Sequence, residues 1–96
     1  MQRFEWDDEK DRANIRKHGV SFEEASTVFN DEYGIFIADP DHSESEDRFL
    51  LIGFSETARL LLVCHCYRQS DLVIRIISAR KATASEKATY GEQFYA

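Results

Sequence analysis

The sequence predicts an α+β fold: a small antiparallel sheet with helices packed on one face, in the order β-α-α-β-β-β-β-α. Three observations carry that prediction. Two helix-start signatures follow one another in the first third of the chain. Four runs of strand-like residues then occupy positions 33 to 80. A last helix signature opens directly after them. At 96 residues the chain has the length of one domain, and we read residues 1–96 as such.

Residues 2–6 alternate weakly and read as a short first strand. Asp7 is placed to cap a helix running to His18. Asp8, Glu9 and Asp11 suit its positive end, and Arg16, Lys17 and His18 its negative end. Gly19 is a suitable stop. Ser21-Phe22-Glu23-Glu24 is a capping box in which Ser21 caps and Glu24 reaches back to it. Val20 and Ala25 stand where a hydrophobic staple requires them. This second helix runs to about Asn30 and buries Phe22, Ala25, Val28 and Phe29.

Strands are expected at Tyr33–Ala38, Arg48–Phe54, Arg59–Arg68 and Leu72–Arg80, with an acidic loop from Asp39 to Asp47 and a turn at Gln69-Ser70-Asp71. Thr83-Ala84-Ser85-Glu86 is a second capping box, opening a helix from about Ala84 to Phe94. Strict alternation puts Leu61, Val63, His65 and Tyr67 on one face of the third of these runs, and Leu60, Leu62, Cys64 and Cys66 on the other. In the fourth run it puts Leu72, Ile74, Ile76, Ser78 and Arg80 together, opposite Val73, Arg75, Ile77 and Ala79. Which face is open is not decided by the pattern.

The net charge is −6, which argues against a general nucleic-acid coat protein. The charge is uneven. Residues 1–58 hold 6 basic and 15 acidic groups, and residues 59–96 hold 6 basic and 3 acidic groups. A basic surface on an acidic body still attracts phosphate, because the field that matters is local. No apolar run approaches the roughly 20 residues of a membrane span, and the first residues lack the apolar core of a signal peptide. A cytoplasmic location follows as the expectation. Cys64 and Cys66 read as packing residues of a reducing compartment, and neither a metal nor a cofactor is expected.

Several polar residues are candidates for chemistry. Arg75 sits in the apolar run Leu72–Ile77, so it needs either a carboxylate partner or a phosphate. Arg80 and Lys81 end that strand where a helix begins, a natural anion position. Glu46 beside Arg48 reads either as a proton acceptor next to a phosphate clamp or as a salt bridge. His18 is a helix cap or a proton carrier, and His42 lies in the acidic loop. His65, on a strand, fits a packed core histidine better than a catalyst. No catalytic triad, glycine-rich phosphate loop or zinc spacing is present.

One resemblance spans nearly the whole chain. Phe4-Glu5-Trp6-Asp7, Lys10 and Asn14 lead into Lys17-His18-Gly19-Val20-Ser21-Phe22-Glu23-Glu24-Ala25. Asp41-His42-Ser43, Glu46, Arg48, Ile52-Gly53 and Ser55 follow. Leu61 and Val63 lead to Arg75-Ile76-Ile77-Ser78-Ala79-Arg80, Ala82, Glu86 and Tyr90. In order and spacing these resemble the BrnT toxin family, and the Lys17–Phe22 and Arg75–Arg80 blocks together are highly specific. The resemblance implies a RelE-like fold and an endoribonuclease that cleaves RNA without a metal and arrests translation and growth. It also implies a BrnA-type DNA-binding antitoxin, a heterotetramer of two toxins and two antitoxins, and contact with operator DNA only through the antitoxin. Within that frame Arg48, Arg75 and Arg80 are the phosphate-stabilising candidates, and Glu46, His42 and His18 the proton-transfer candidates. Lys17, Lys81 and Tyr67 are the candidates for holding RNA. The alternative is a toxin-fold protein that acts only as a co-repressor with its antitoxin.

Overall fold

A computed structural model of the chain describes residues 3–39 and 47–95. Strands β1 (Arg3–Glu5), β2 (Ile35–Ala38), β3 (Phe49–Phe54), β4 (Leu60–Arg68) and β5 (Val73–Lys81) form a sheet in the order β1-β5-β4-β3-β2. Helices α1 (Asp8–His18) and α2 (Phe22–Thr27) lie between β1 and β2, a 3₁₀ turn at Val28–Asn30 extends α2, and α3 (Ala84–Glu92) follows β5.

The local signals act largely as expected. Asp7 Oδ1 accepts from the Glu9 and Lys10 amides at 2.8 and 3.2 Å, and Gly19 closes α1 in the left-handed region at φ 69°. Ser21 Oγ accepts from the Glu24 amide at 3.0 Å. The Glu24 carboxylate does not return to Ser21, however. It pairs with Arg59 and accepts from Ser55 and Thr57, both at 2.7 Å. A bond to a guanidinium is stronger than one to a neutral amide, so the long-range pair wins over the local box. The Thr83–Glu86 box is complete.

The sheet is antiparallel from β2 to β5, and β1 adds to β5 in parallel. Helices α1 and α2 cover one face, where Val20, Phe22, Ala25 and Val28 meet Leu51, Leu61, Val63, Ile76 and Ala79. Full burial of a side chain such as Phe22 is worth about 2–3 kcal/mol relative to exposure. Gly53 belongs to this contact, since a Cβ there would stand 2.9 Å from Val28 Cγ1. Helix α3 turns to the opposite face, where Tyr90 packs on Ile52 and Leu62. Covering that end alone leaves the rest of the second face without a described helix.

Alternation along β5 needs a correction. Cys64 pairs with Ser78 but His65 pairs with Ile76, so Ile77 is an extra residue, a β-bulge. Past the bulge the sides swap. Ile74, Ile76 and Ala79 all enter the helix-covered core, while Arg75 joins Ser78 and Arg80 on the other face.

His65 is a core residue, fully buried among Phe29, Phe36, Phe49 and Tyr67. Both cysteines are free and buried. Among the described residues no helix is long and apolar enough to cross a membrane.

Candidate active-site groove

The partly open face carries a groove of about 430 Å³ whose walls come from α1, β3, β4, β5 and the end of β2. His18, Arg48 and Arg80 line it together, with Asp39, Cys64 and Ser78. Three residues distant in sequence are thus brought to one cavity.

His18 gets there through α1. Asn14, one helical turn earlier on the same side, donates from Nδ2 to the Val20 and Ala79 carbonyls, both at 2.8 Å. Its Oδ1 accepts from the Ala79 amide at 3.1 Å. Beyond Arg75, β5 has no strand on its outer side among the described residues, so Asn14 completes that edge and holds the C-terminal turn of α1 against the groove.

Arg80 is oriented from behind. Its Nη1 and Nη2 donate to Glu86 Oε1 and Oε2 at 2.8 and 3.0 Å. The same Oε1 accepts from the Thr83 amide at 2.8 Å, so the first turn of α3 holds the guanidinium. Arg80 and the Thr83 cap hold the Glu86 carboxyl below its ordinary pKa, so it stays charged. Arg48 stands just before β3, and its Nε is buried with no hydrogen-bond partner among the described residues. A buried unpaired guanidinium N–H is a donor awaiting an acceptor.

Cys64 lies on the groove floor with Sγ 3.8 Å from Asp39 Oδ2. Burial and the Asp39 carboxylate push its thiol up to about 11, so it is no thiolate nucleophile at neutral pH. Among the described residues no group of three or more His, Cys, Asp or Glu is placed to hold a metal ion.

The other candidates lie elsewhere. Arg75 donates to Glu5 Oε2 at 2.9 Å on the β1 side of the sheet, the carboxylate partnership its apolar run required. Lys17 lines a smaller cavity of about 220 Å³ that shares His18, Ile77 and Ser78 with the groove. Tyr67 packs against Phe49 and His65 on the helix-covered face, its hydroxyl held above its ordinary pKa by burial and Asp71. Lys81 is exposed at the end of β5. Glu46 and His42 lie outside the described residues. Asp39 and Glu86 were not singled out for chemistry from sequence. The one signal for Glu86 in the sequence is its place in the Thr83–Glu86 capping box, which fixes it beside the end of β5 but does not name Arg80 as its partner.

The architecture defines the chain as a small α+β protein, a five-stranded sheet with α1 and α2 on one face and α3 on the other. It matches the 1.1 Å crystal structure of the Brucella abortus ribonuclease toxin, BrnT, with a TM-score of 0.63 and 21% identity over 86% of this chain and 99% of that one. That likeness concerns the fold. Membership follows from the sequence: the model of the family described as ribonuclease toxin, BrnT, of type II toxin-antitoxin system matches residues 6–86, and the chain belongs to the BrnT family. No curated protein gives a significant sequence match.

Proposed function

We propose that the chain is a metal-independent endoribonuclease whose reaction takes place in the groove of His18, Arg48 and Arg80. The observation that carries this reading is their convergence, with one guanidinium held by Glu86 and the other presenting a buried, unpartnered N–H.

The chemistry needs three things. A base takes the proton from a 2′-hydroxyl, whose oxygen attacks the adjacent phosphorus. Cations stabilise the pentavalent phosphorane. An acid protonates the departing 5′-oxygen, leaving a 2′,3′-cyclic phosphate and a 5′-hydroxyl. Arg48 and Arg80 hold the phosphate. His18 moves protons, with Glu46 and His42 as the next candidates for that task. Lys17, beside the groove, guides the RNA backbone, whereas Tyr67, packed on the helix-covered face, and Lys81 stand away from the groove and are given no part in the reaction.

Type II family membership implies a protein antitoxin. We assign that partner to the BrnA type, in a complex of two toxins and two antitoxins that reaches operator DNA through the antitoxin. Cleavage of RNA would stop translation and growth until the antitoxin covers the toxin. Edge strand β2, with Phe36 55% and Ile37 42% exposed, offers such a partner an apolar border.

The test incubates the purified chain with total RNA and EDTA, with and without ribosomes, beside an Arg48→Ala/Arg80→Ala variant of equal folded content. Cleavage by the wild type alone, with 5′-hydroxyl ends, is the expected result. No cleavage under any condition overturns it and leaves the co-repressor reading.

A further inference from the structure

Among the described residues, Asp39 is the one carboxylate that lines the groove. The sheet puts it there. The pairing of Ala38 with Phe49 carries on by one residue, because the Asp39 amide donates to the Arg48 carbonyl at 3.0 Å. Cross-strand partners share a face, so Asp39 and Arg48 stand side by side at the groove. The carboxylate leans in over the floor, with Oδ2 3.8 Å from Sγ of Cys64 on β4, two strands away. The floor is a row across the sheet, in which Ser78 pairs with Cys64 and Cys64 with Leu50. His18 stands at the β5 end of that row, since Ile77 and Ser78 line both cavities that it borders. Asp39 and His18 thus hold opposite ends of the floor. From β5 to β3 is two strand spacings, roughly 10 Å. That leaves room for a phosphate with a hydrogen-bonding group on either side.

We infer that Asp39 is the general base of RNA cleavage and His18 its general acid, the two flanking the phosphate that Arg48 and Arg80 hold. The inference rests on the ribonuclease reading. In-line displacement needs its base and its acid on opposite sides of phosphorus, and the two ends of the floor supply them. An Asp39 oxygen takes the 2′-hydroxyl proton as the 2′-oxygen bonds to phosphorus. The bond from phosphorus to the 5′-oxygen breaks, and that oxygen takes a proton from the His18 imidazolium. Solvent then removes the proton from Asp39 and returns one to His18. An ionised carboxylate only accepts hydrogen bonds, through about four lone-pair positions, so a contact with one neighbour leaves places for a hydroxyl. The adjacent Arg48 guanidinium offsets the repulsion between the carboxylate and the phosphate. Cys64, between the two ends, stays a protonated thiol and competes for neither role.

The test uses a single-stranded oligoribonucleotide with sulfur in place of the 5′-oxygen at one phosphate, beside its all-oxygen counterpart, under the conditions in which the chain cuts total RNA. A thiolate leaves without a proton, so the sulfur substrate dispenses with the acid and still needs the base. His18→Ala should cut the oxygen substrate about 100-fold more slowly and the sulfur substrate at close to the wild-type rate. Asp39→Asn, with Asp39→Ser as a second variant, should lose about 100-fold on both substrates. The Asp39 amide, not its side chain, makes the bond to β3, so both variants should keep the wild-type circular dichroism. Anisotropy with a fully 2′-O-methylated, uncleavable oligoribonucleotide separates catalysis from mere support of Arg48. Asp39→Asn should bind it as tightly as wild type or more tightly, because a negative charge beside the phosphate is gone. Wild-type rates in a folded Asp39 variant, rescue of that variant by sulfur, or weaker binding overturns the assignment. Any of these in a chain whose wild type cuts RNA leaves the ribonuclease reading standing. No cutting by the wild type under any condition sinks both.

Discussion

The side-chain amide of Asn14 binds Ala79 as a neighbouring strand would, donating to its carbonyl at 2.8 Å and accepting from its amide at 3.1 Å. One helical residue thus closes the bare edge of β5. It also fixes where α1 ends, and with it the position of His18 at the groove.

Asn14→Ala leaves buried backbone groups of Ala79 and Val20 unpaired, which we expect to cost about 3 kcal/mol. A denaturation midpoint in urea measures it. Asn14→Asp is the sharper variant, because a carboxylate cannot donate to either carbonyl. A loss below about 0.5 kcal/mol in both would show that the Ala79 edge is satisfied some other way.

Glu86→Gln separates the cap from the ion pair. Glutamine still serves in a capping box, so thermal stability should change little. The guanidinium of Arg80 loses its charged bidentate partner, and cleavage should fall roughly 10- to 100-fold. The loss belongs in kcat, with KM unchanged or lower, because the groove becomes more positive. An unaltered kcat would remove Glu86 as a positioning residue.

Glu24 ties α2 to Arg59, Ser55 and Thr57, and the Arg59 guanidinium holds its carboxyl at about 2, below its ordinary 4.5. A depressed carboxylate pKa contributes stability above the unfolded value and loses it as pH falls toward the folded value. Glu24→Gln should therefore be less stable than wild type at pH 7. The gap should close between pH 4.5 and about 2. Thermal melts at a series of pH values test it, and a gap independent of pH would contradict the pairing.

His65 is buried, with Nδ1 3.2 Å from the Val63 carbonyl and Nε2 without a partner among the described residues. Burial lowers its pKa and keeps the ring neutral. The unfolded chain takes up a proton that the folded chain resists, so stability declines as pH falls below about 6.5. His65→Phe suits the surrounding aromatic rings. It should stay within about 1.5 kcal/mol of wild type at pH 7, flatten the decline below pH 6.5 and keep cleavage activity. Lost cleavage in a well-folded His65→Phe variant would make His65 part of the site.

The sequence by itself determined the order of elements and most of their ends, because those depend on neighbours. Asp7, Gly19, Ser21 and the Thr83–Glu86 box act within one helical turn. It also carried the family, through the motifs from Trp6 to Glu86. Arg48, Arg80 and His18 were legible as charged or titratable residues at element ends, but nothing local said that they share a groove. Only the tertiary structure decided that Glu24 leaves its cap for Arg59, that Asn14 stands in for a strand, and that β1 lies parallel beside β5. It decided, too, which side Arg75 takes. Alternation is a rule of period two, and one bulged residue at Ile77 reverses every assignment beyond it. That reversal lets Ile74, Ile76 and Ala79 all bury against the helices, an outcome visible only once β4 and the helices are in place.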